Sequence, residues 1–347
     1  MPGKVTVPLP LNIDREADPY FSPYTNYVIP PLRARNWKNV FVTYSGLAIN
    51  RSGLIKECYH DYPEQHRIQL NEAAYYFHEA EKDADKLIEL DDDRTYLLIH
   101  HPWCNYYHWI CEAILRLWIV KDKIEELVLL LPETYKDIDF VMGSLEPFCV
   151  KDVYFIPKGK SVLIKNLCLP AIKPQCDSYD YEKLTEIRKL YLDYLHSGKI
   201  RDIDLGERIY LSRKKAGRKK VLNEEEVENI MRKYGFAIVN NEDFTFLEQV
   251  GIYSHARYLV SIHGSGLTNM LFMQGGSSIL EILKHKTNTL NRPSFVFWYQ
   301  AAALGFKYYQ QLNPPVNKDG DDYFFGDFHI DEALLGKNVT KMLREGA

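Results

Sequence analysis

The chain holds 347 residues, 46% hydrophobic and 26% charged, with a net charge of -4, enough for two domains that each bury a core. A slightly acidic balance speaks against a general nucleic-acid binder, and no apolar run approaches the roughly 20 residues of a membrane span. The six cysteines form no CxxC pair, which fits a reducing compartment rather than a disulfide scaffold.

Residues 1 to about 31 are proline-rich and irregular, and predict an extended arm. Asn71–Leu90 carries helical patterning. Thr95–Ile99 then reads as a strand, Asn105–Val120 as a helix, Leu127–Leu131 as a strand and Glu133–Glu146 as a helix, with strands at Val153–Ile156 and Val162–Leu169. Such alternation predicts a sheet with helices on its faces. After a break at Pro170–Tyr179, apolar Leu184, Ile187, Leu190, Tyr191 and Tyr194 mark an amphipathic linking helix that closes at Gly198.

A second alternating run opens with the strand Arg208–Ser212 and the basic loop Arg213-Lys214-Lys215-Ala216-Gly217-Arg218. A helix follows from Glu224 to Tyr234, where Asn223 and Glu226 resemble a capping box, then a strand at Phe236–Val239. Thr245 and Glu248 form a full capping box for the next helix. The strand Tyr258–Ile262 ends in His263-Gly264-Ser265-Gly266; a short helix Leu267–Phe272, Gly275-Gly276 and the apolar run Ser278–Leu283 come after it. The fold class is therefore α/β: two open domains, residues 1–175 and 206–347, joined by a linking segment at 176–205. In such sheets ligands bind beyond the carboxyl ends of the strands, so the site is expected between the domains.

Two elements seek an anion. At the glycine turn the N–H groups of a helix start lack intrahelical partners and the helix dipole adds positive charge, with His263 as a further donor. In the basic loop, Arg213 and Arg218 offer planar forks suited to phosphate oxygens, while Lys214, Lys215, Lys219 and Lys220 are expected to be solvated. The plainer alternatives are a tight strand-to-helix connection and a solvated charge run. A nucleophile elbow is excluded because His263 stands where its first glycine belongs, and a dinucleotide fingerprint because Asn269 stands at the third. Glu281 interrupts an apolar run; an unpaired buried carboxylate is costly, so it either lies at the sheet's open end or holds hydroxyls.

In the Asn105–Val120 helix, Trp109, Ala113 and Leu117 with Ile110, Ile114 and Trp118 form the core face. His108 and Glu112, at i and i+4, share a different stripe, with Arg116 one turn further. The pair is either a structural cap or a catalytic base with its orienting partner, and Arg116 either binds an anion or balances Glu112. Cys104, His108 and Cys111, following His100-His101, can also be taken as zinc ligands. Closed zinc sites usually join ligands from separate turns, and Cys111 falls near the core stripe as a small buried hydrophobe would.

Three blocks stand in order: Asn105-Tyr106-Tyr107-His108-Trp109-Ile110-Cys111-Glu112; Tyr210-Leu211-Ser212-Arg213 with Arg218; and His263-Gly264-Ser265-Gly266-Leu267-Thr268-Asn269 with Glu281. Together, over roughly Leu97 to Tyr309, they resemble glycosyltransferase family 61. The resemblance implies two Rossmann-like domains facing across a cleft in the GT-B manner, a nucleotide-sugar donor and inversion at the anomeric carbon. The donor diphosphate would meet the amides of Gly264, Ser265 and Gly266 and the side chains of Ser212, Arg213, Arg218 and His263, with Asn269 in the same turn and Glu281 on the ribose. The acceptor, a glycan or lipid-linked glycan, would meet Asn105, Tyr107 and Arg116, with Glu112 preferred as base because a carboxylate is ionised at neutral pH, and His108 orienting it or taking the base role itself.

No cofactor and no metal are expected; Asp91-Asp92-Asp93 matches the DxD metal motif of the other large glycosyltransferase fold but precedes a strand, as a turn does. Surface polysaccharide synthesis by a bacterial-type member is the expected setting. The opening Met1-Pro2-Gly3-Lys4-Val5 begins no apolar signal segment, so the expected location is the cytoplasm, at the inner membrane face where an acceptor is lipid-linked. In the family the fourth residue of the glycine turn varies, so Gly266 is permissive. Residues 1–70 and the tail after about Asn313 match nothing in it. The rivals are a zinc hydrolase built on Cys104, His108 and Cys111, and a nucleotide-sugar sensor that binds without turnover.

Overall fold

The computed structural model describes residues 3–287, 289–314, 316 and 325–346; Met1 and Pro2 of the expected arm, and part of the tail, lie outside them. The chain forms two compact units, one from Ile29–Cys176 and one from Lys4–Val28 together with the chain from Asp177 onward. The arm therefore belongs with the C-terminal half rather than, as its position in sequence predicts, with the N-terminal domain. So does the helix expected to link the two.

The N-terminal unit is built on a mixed sheet. Its strands are β1 (Ala34–Val42), β2 (Ala48–Asn50), β3 (Gly53–Leu54), β4 (Leu87–Leu90), β5 (Thr95–Leu98), β6 (Leu127–Pro132), β7 (Asp152–Ile156) and β8 (Ser161–Pro170). The order is β3-β2-β1-β8-β5-β6-β7, with β4 also beside β8. Strands β8, β5, β6 and β7 run parallel, while β1, β2 and β3 add an antiparallel flank. That flank departs from a Rossmann-like sheet. Most of β1 is exposed before Val40, so it lacks the alternation by which a half-buried strand is recognised.

Helix α1 (Gln65–Lys82) starts earlier and stops sooner than the patterning of Asn71–Leu90 predicts, because Asp83 turns extended and its carboxylate accepts from the Asp85 N–H. The Asn105–Val120 helix, here α2, runs Tyr106–His108, a π turn at Trp109–Ala113, then Ile114–Ile119. Such single π turns frequently mark functional sites.

The C-terminal unit holds a five-stranded, all-parallel sheet of β9 (Arg208–Leu211), β10 (Ala237–Val239), β11 (Tyr258–Ile262), β12 (Ser278–Lys284) and β13 (Lys307–Asn313) in the order β10-β9-β11-β12-β13. β11 and β12 are buried along their whole length, the pattern of strands covered on both faces. The order reverses between β9 and β11, the switch point at which such sheets bind ligands. The two loops leaving those strands are the basic loop and the glycine turn.

Among the flanking helices, α3 (Tyr181–Tyr194) is capped by Asp180, whose carboxylate accepts from the Lys183 N–H, and buries Leu184, Ile187 and Tyr191 as predicted. The capping box of Thr245 and Glu248 forms at Phe246–His255. The one expected at Asn223 does not: its amide donates to the Ile330 carbonyl at 2.9 Å instead.

Candidate functional site

In the C-terminal unit, Glu224 fastens the root of the basic loop. Its carboxylate accepts from the Ser212 and Tyr210 hydroxyls and from the Arg213 N–H at 3.0 Å. Burial pushes its pKa up. Ser212, expected on the donor, is thereby committed to Glu224 and to Glu228 at 3.1 Å.

The Arg213 guanidinium lies against the glycine turn, with Nη1 3.4 Å from where a Cβ on Gly264 would stand, and Nη2 donating to the Arg218 carbonyl at 3.1 Å. Its Nε is buried and has no partner among the described residues. Gly264, Ser265 and Gly266 are half-exposed between fully buried neighbours, and they open a 3-10 helix, Ser265–Phe272, whose first N–H groups have no intrahelical acceptor. Gly264 is extended, so it supplies space rather than an unusual backbone. A Cβ on Gly266 would stand 2.5 Å from Leu211 Cδ2, so a larger residue there requires the end of the Leu211 side chain to move.

Two residues expected to face the donor point inward. Asn269 is fully buried, its amide donating to Gln249 Oε1 at 2.9 Å. Glu281, also fully buried, accepts from His263 Nδ1 and from the Tyr308 hydroxyl at 2.6 Å, so both oxygens are occupied within the protein rather than offered to a ribose.

What sequence missed here is charge. Lys219, predicted solvated, is 6% exposed, and burial beside Arg213, Lys284 and Arg218 pulls its pKa down to about 7. Lys284, at the end of β12, is buried too, and its ammonium donates to the Gly326 carbonyl at 2.5 Å. Arg218 is exposed and stacks over the Phe325 ring at 4.5 Å. A small cavity is lined by Lys219, His263, Lys284, Lys286, Ser294 and Phe328. His263 is held low, mainly by burial and further by Lys219 and Arg213 against the opposing pull of Glu281. Buried cations thus crowd the switch-point end of the sheet.

In the N-terminal unit the His108–Glu112 pair forms as predicted, with Nδ1 donating to Oε2 at 2.7 Å, but it does not lie on an open stripe. The Glu112 side chain is 0% exposed, against 15% for His108. His60 Nε2 donates to Oε1 at 3.0 Å, His101 Nε2 stands 3.0 Å from Oε2, and the buried Lys173 ammonium lies 3.8 Å from Oε1. Burial alone would push Glu112 up; His60 and His108 beside it hold it well below the usual carboxylate range. His101 is pulled down to about 4, mainly by burial, and so is neutral at neutral pH.

A carboxylate so deeply buried and so acidic is a poor base for an incoming hydroxyl. His108 is the member of the cluster with an outward edge: once Nδ1 donates to Glu112, Nε2 is left as an acceptor, and among the described residues it has no partner.

The expected acceptor residues are otherwise engaged. Asn105 caps α2, its side chain accepting from the His108 N–H. The Tyr107 hydroxyl donates to the Cys176 carbonyl and accepts from Lys173 at 3.0 Å. Arg116, 1% exposed, donates to the carbonyls of Pro170, Ile99 and His100 at 2.8, 2.6 and 3.1 Å; it clamps strand ends rather than an anion.

The rival zinc set of Cys104, His108 and Cys111 does not assemble among the described residues. Burial raises Cys111 to about 12 and Cys104 to about 11. The group that could hold a metal among the described residues is His60, His108 and Glu112, with ligand atoms within 4.8 Å of one another. Lys173 puts a positive charge beside it, and two of its imidazoles already donate to the carboxylate. Asp92 and Asp93 pair with Arg94 and Lys165 in the turn before β5.

No helix of the described residues is long and apolar enough to cross a membrane. No curated protein matches the chain. A family model described as Glycosyltransferase 61 matches residues 106–280, half of the chain, from the α2 segment that carries His108 and Glu112 into β12, one residue short of Glu281. The chain belongs to glycosyltransferase family 61, and its activity is that of a glycosyltransferase.

Proposed function

We propose an inverting, metal-independent transfer of a sugar from a nucleoside-diphosphate donor to a glycan hydroxyl, by an enzyme of GT-B type. The observation that carries the reading is the pairing in α2: Nδ1 of His108 is fixed by a buried carboxylate while Nε2 is left to receive a proton. The acceptor oxygen attacks the anomeric carbon, the bond from that carbon to the diphosphate oxygen breaks, and the acceptor proton passes to His108 Nε2. Glu112 keeps the imidazole in the required tautomer and offsets the imidazolium charge, the role a buried carboxylate takes behind a catalytic histidine. The preference for a carboxylate base is therefore reversed.

The donor side rests on the C-terminal unit. Arg213, Arg218, Lys219 and Lys284, with the amides of the glycine turn, supply fixed positive charge for the departing diphosphate, and help of this kind is worth several kcal/mol. They stand in for a divalent ion, so turnover is expected to persist in chelator. Surface polysaccharide synthesis, with a lipid-linked acceptor met at the inner membrane face, is the setting we propose for this chemistry.

A thermal-shift screen of nucleosides, nucleoside diphosphates and nucleotide sugars, followed by transfer assays with and without chelator, tests the reading. A ligand at 100 times its dissociation constant should stabilise the protein by roughly 2.7 kcal/mol. Tight binding without hydrolysis or transfer would make the protein a sensor, and an absolute need for manganese or magnesium would overturn the metal-independent mechanism.

A further inference from the structure

With Asn105, Tyr107 and Arg116 committed to the fold, what the N-terminal unit presents beside His108 is an aromatic stack. Trp103, in the connection between β5 and α2, lies nearly parallel to the His60 ring, with centroids 4.9 Å apart and planes at 21°. Tyr62 stacks on it in turn at 6.2 Å and 28°, and the His108 ring is 5.4 Å away.

The stack is held rigid from below. His60 is tied to Glu112, the Tyr62 hydroxyl accepts from the Cys176 N–H at 2.8 Å, and the Trp103 N–H reaches His101 Nδ1 at 3.4 Å. Trp103 itself is half-buried. Among the described residues its indole Nε1–H has no partner, and neither has His108 Nε2; neither atom is sealed from solvent. An indole N–H that sits in a packed environment usually finds an acceptor. Here a donor-only group is left open next to the nitrogen that has to take a proton.

A pyranose ring matches that pairing. Its C–H face is flat and apolar enough to lie on an indole, and its rim carries several hydroxyls, one able to accept from Nε1–H while another turns to an imidazole. A serine or threonine side chain brings one hydroxyl and no face. We propose that Tyr62 and Trp103 form the acceptor subsite and that its occupant is a carbohydrate ring, with Trp103 setting the nucleophilic hydroxyl against His108. The proposal rests on His108 acting as the base in a glycosyl transfer.

The test uses methyl pyranosides of the common hexoses and pentoses as probes. Saturation-transfer NMR is recorded on the parent protein, Trp103→Ala and Trp103→Phe, with melting temperature and binding of a nucleoside diphosphate as checks on the fold. At least one pyranoside should receive saturation at its ring C–H protons from the parent. Trp103→Phe, which keeps a stacking face and loses the N–H, should retain that contact more weakly; Trp103→Ala should lose it, with apparent acceptor KM raised about tenfold or more. An equal signal in Trp103→Ala, no signal from any pyranoside with the parent, or a serine or threonine peptide preferred over every sugar would each overturn the subsite.

Failure of the functional reading looks different. A parent that contacts pyranosides at Trp103 but never transfers a sugar would refute the enzyme mechanism and leave the subsite standing. Transfer with unchanged acceptor KM in Trp103→Ala would do the reverse.

Discussion

The two polar clusters of this protein handle burial in opposite ways. In the N-terminal unit one carboxylate, Glu112, is ringed by His60, His101, His108 and Lys173: charge is answered inside the protein, and the product is a histidine held in one orientation. In the C-terminal unit Arg213, Lys219 and Lys284 are drawn out of water beside the exposed Arg218, and the buried carboxylate near them, Glu281, is committed to His263 and Tyr308. Burying cations is costly, and under the proposed function the negative charge of a bound diphosphate would offset part of that cost. The first network fixes the orientation of a group; the second is where the proposed function places the donor's negative charge.

The sharpest break of this comparison is at His108. His108→Ala should lower turnover by about a hundredfold or more, the range for loss of a general base, while a nucleoside diphosphate binds as before by calorimetry. Turnover near the parent's would make α2 purely structural. Glu112→Gln should act on the fold as well as on the rate. It leaves Lys173 buried beside a neutral amide, and breaking a buried pair costs about 3–5 kcal/mol, which denaturant unfolding would report. A Glu112→Gln protein with parental stability and a large loss of turnover would instead return the base role to the carboxylate.

On the other side of the comparison, Arg213→Ala should weaken a nucleoside diphosphate by about 1.5–3 kcal/mol, the worth of a charged hydrogen bond, and leave the bare nucleoside nearly unaffected. Equal losses for both would mean that Arg213 supports the turn rather than the phosphates.

The smallest effect is also the most specific to the buried cations. Lys219 loses its proton above about pH 7 in the free protein, and a dianion restores it, so binding takes up a proton and affinity falls as pH rises from about 7, by at most about tenfold per pH unit. Calorimetry in buffers of different ionisation enthalpy would show that uptake, and Lys219→Met should abolish it. A flat pH profile in the parent would place Lys219 outside the anion site.

Much of this was legible in local pattern. The strand–loop–helix order around Arg213 and His263, the extent of Tyr258–Ile262 and the capping box at Thr245 came directly from periodicity and turn chemistry, because those signals are carried by neighbours in sequence. The i, i+4 spacing of His108 and Glu112 also announced their contact. Residues 32–70 gave no such signal, since β2 and β3 are three and two residues long and most of β1 is exposed. His60 lies in that stretch, and Lys173 in a break without periodicity. Nothing local marks either as a partner of Glu112.

Sequence alone therefore determined the α/β class, the strand that delivers the glycine turn, the basic loop and the two residues of α2 that meet. These depend on a repeat of two or 3.6 residues and on backbone demands at turns. Only tertiary structure decided which of those groups face outward: that Glu112 is sealed and His108 is not, that Glu281 and Asn269 turn into the core, and that Lys219 is buried while Arg218 is exposed. Burial and charge balance come from residues distant in the chain, and it is they, through desolvation and the fields of those neighbours, that set the protonation of the groups in both clusters.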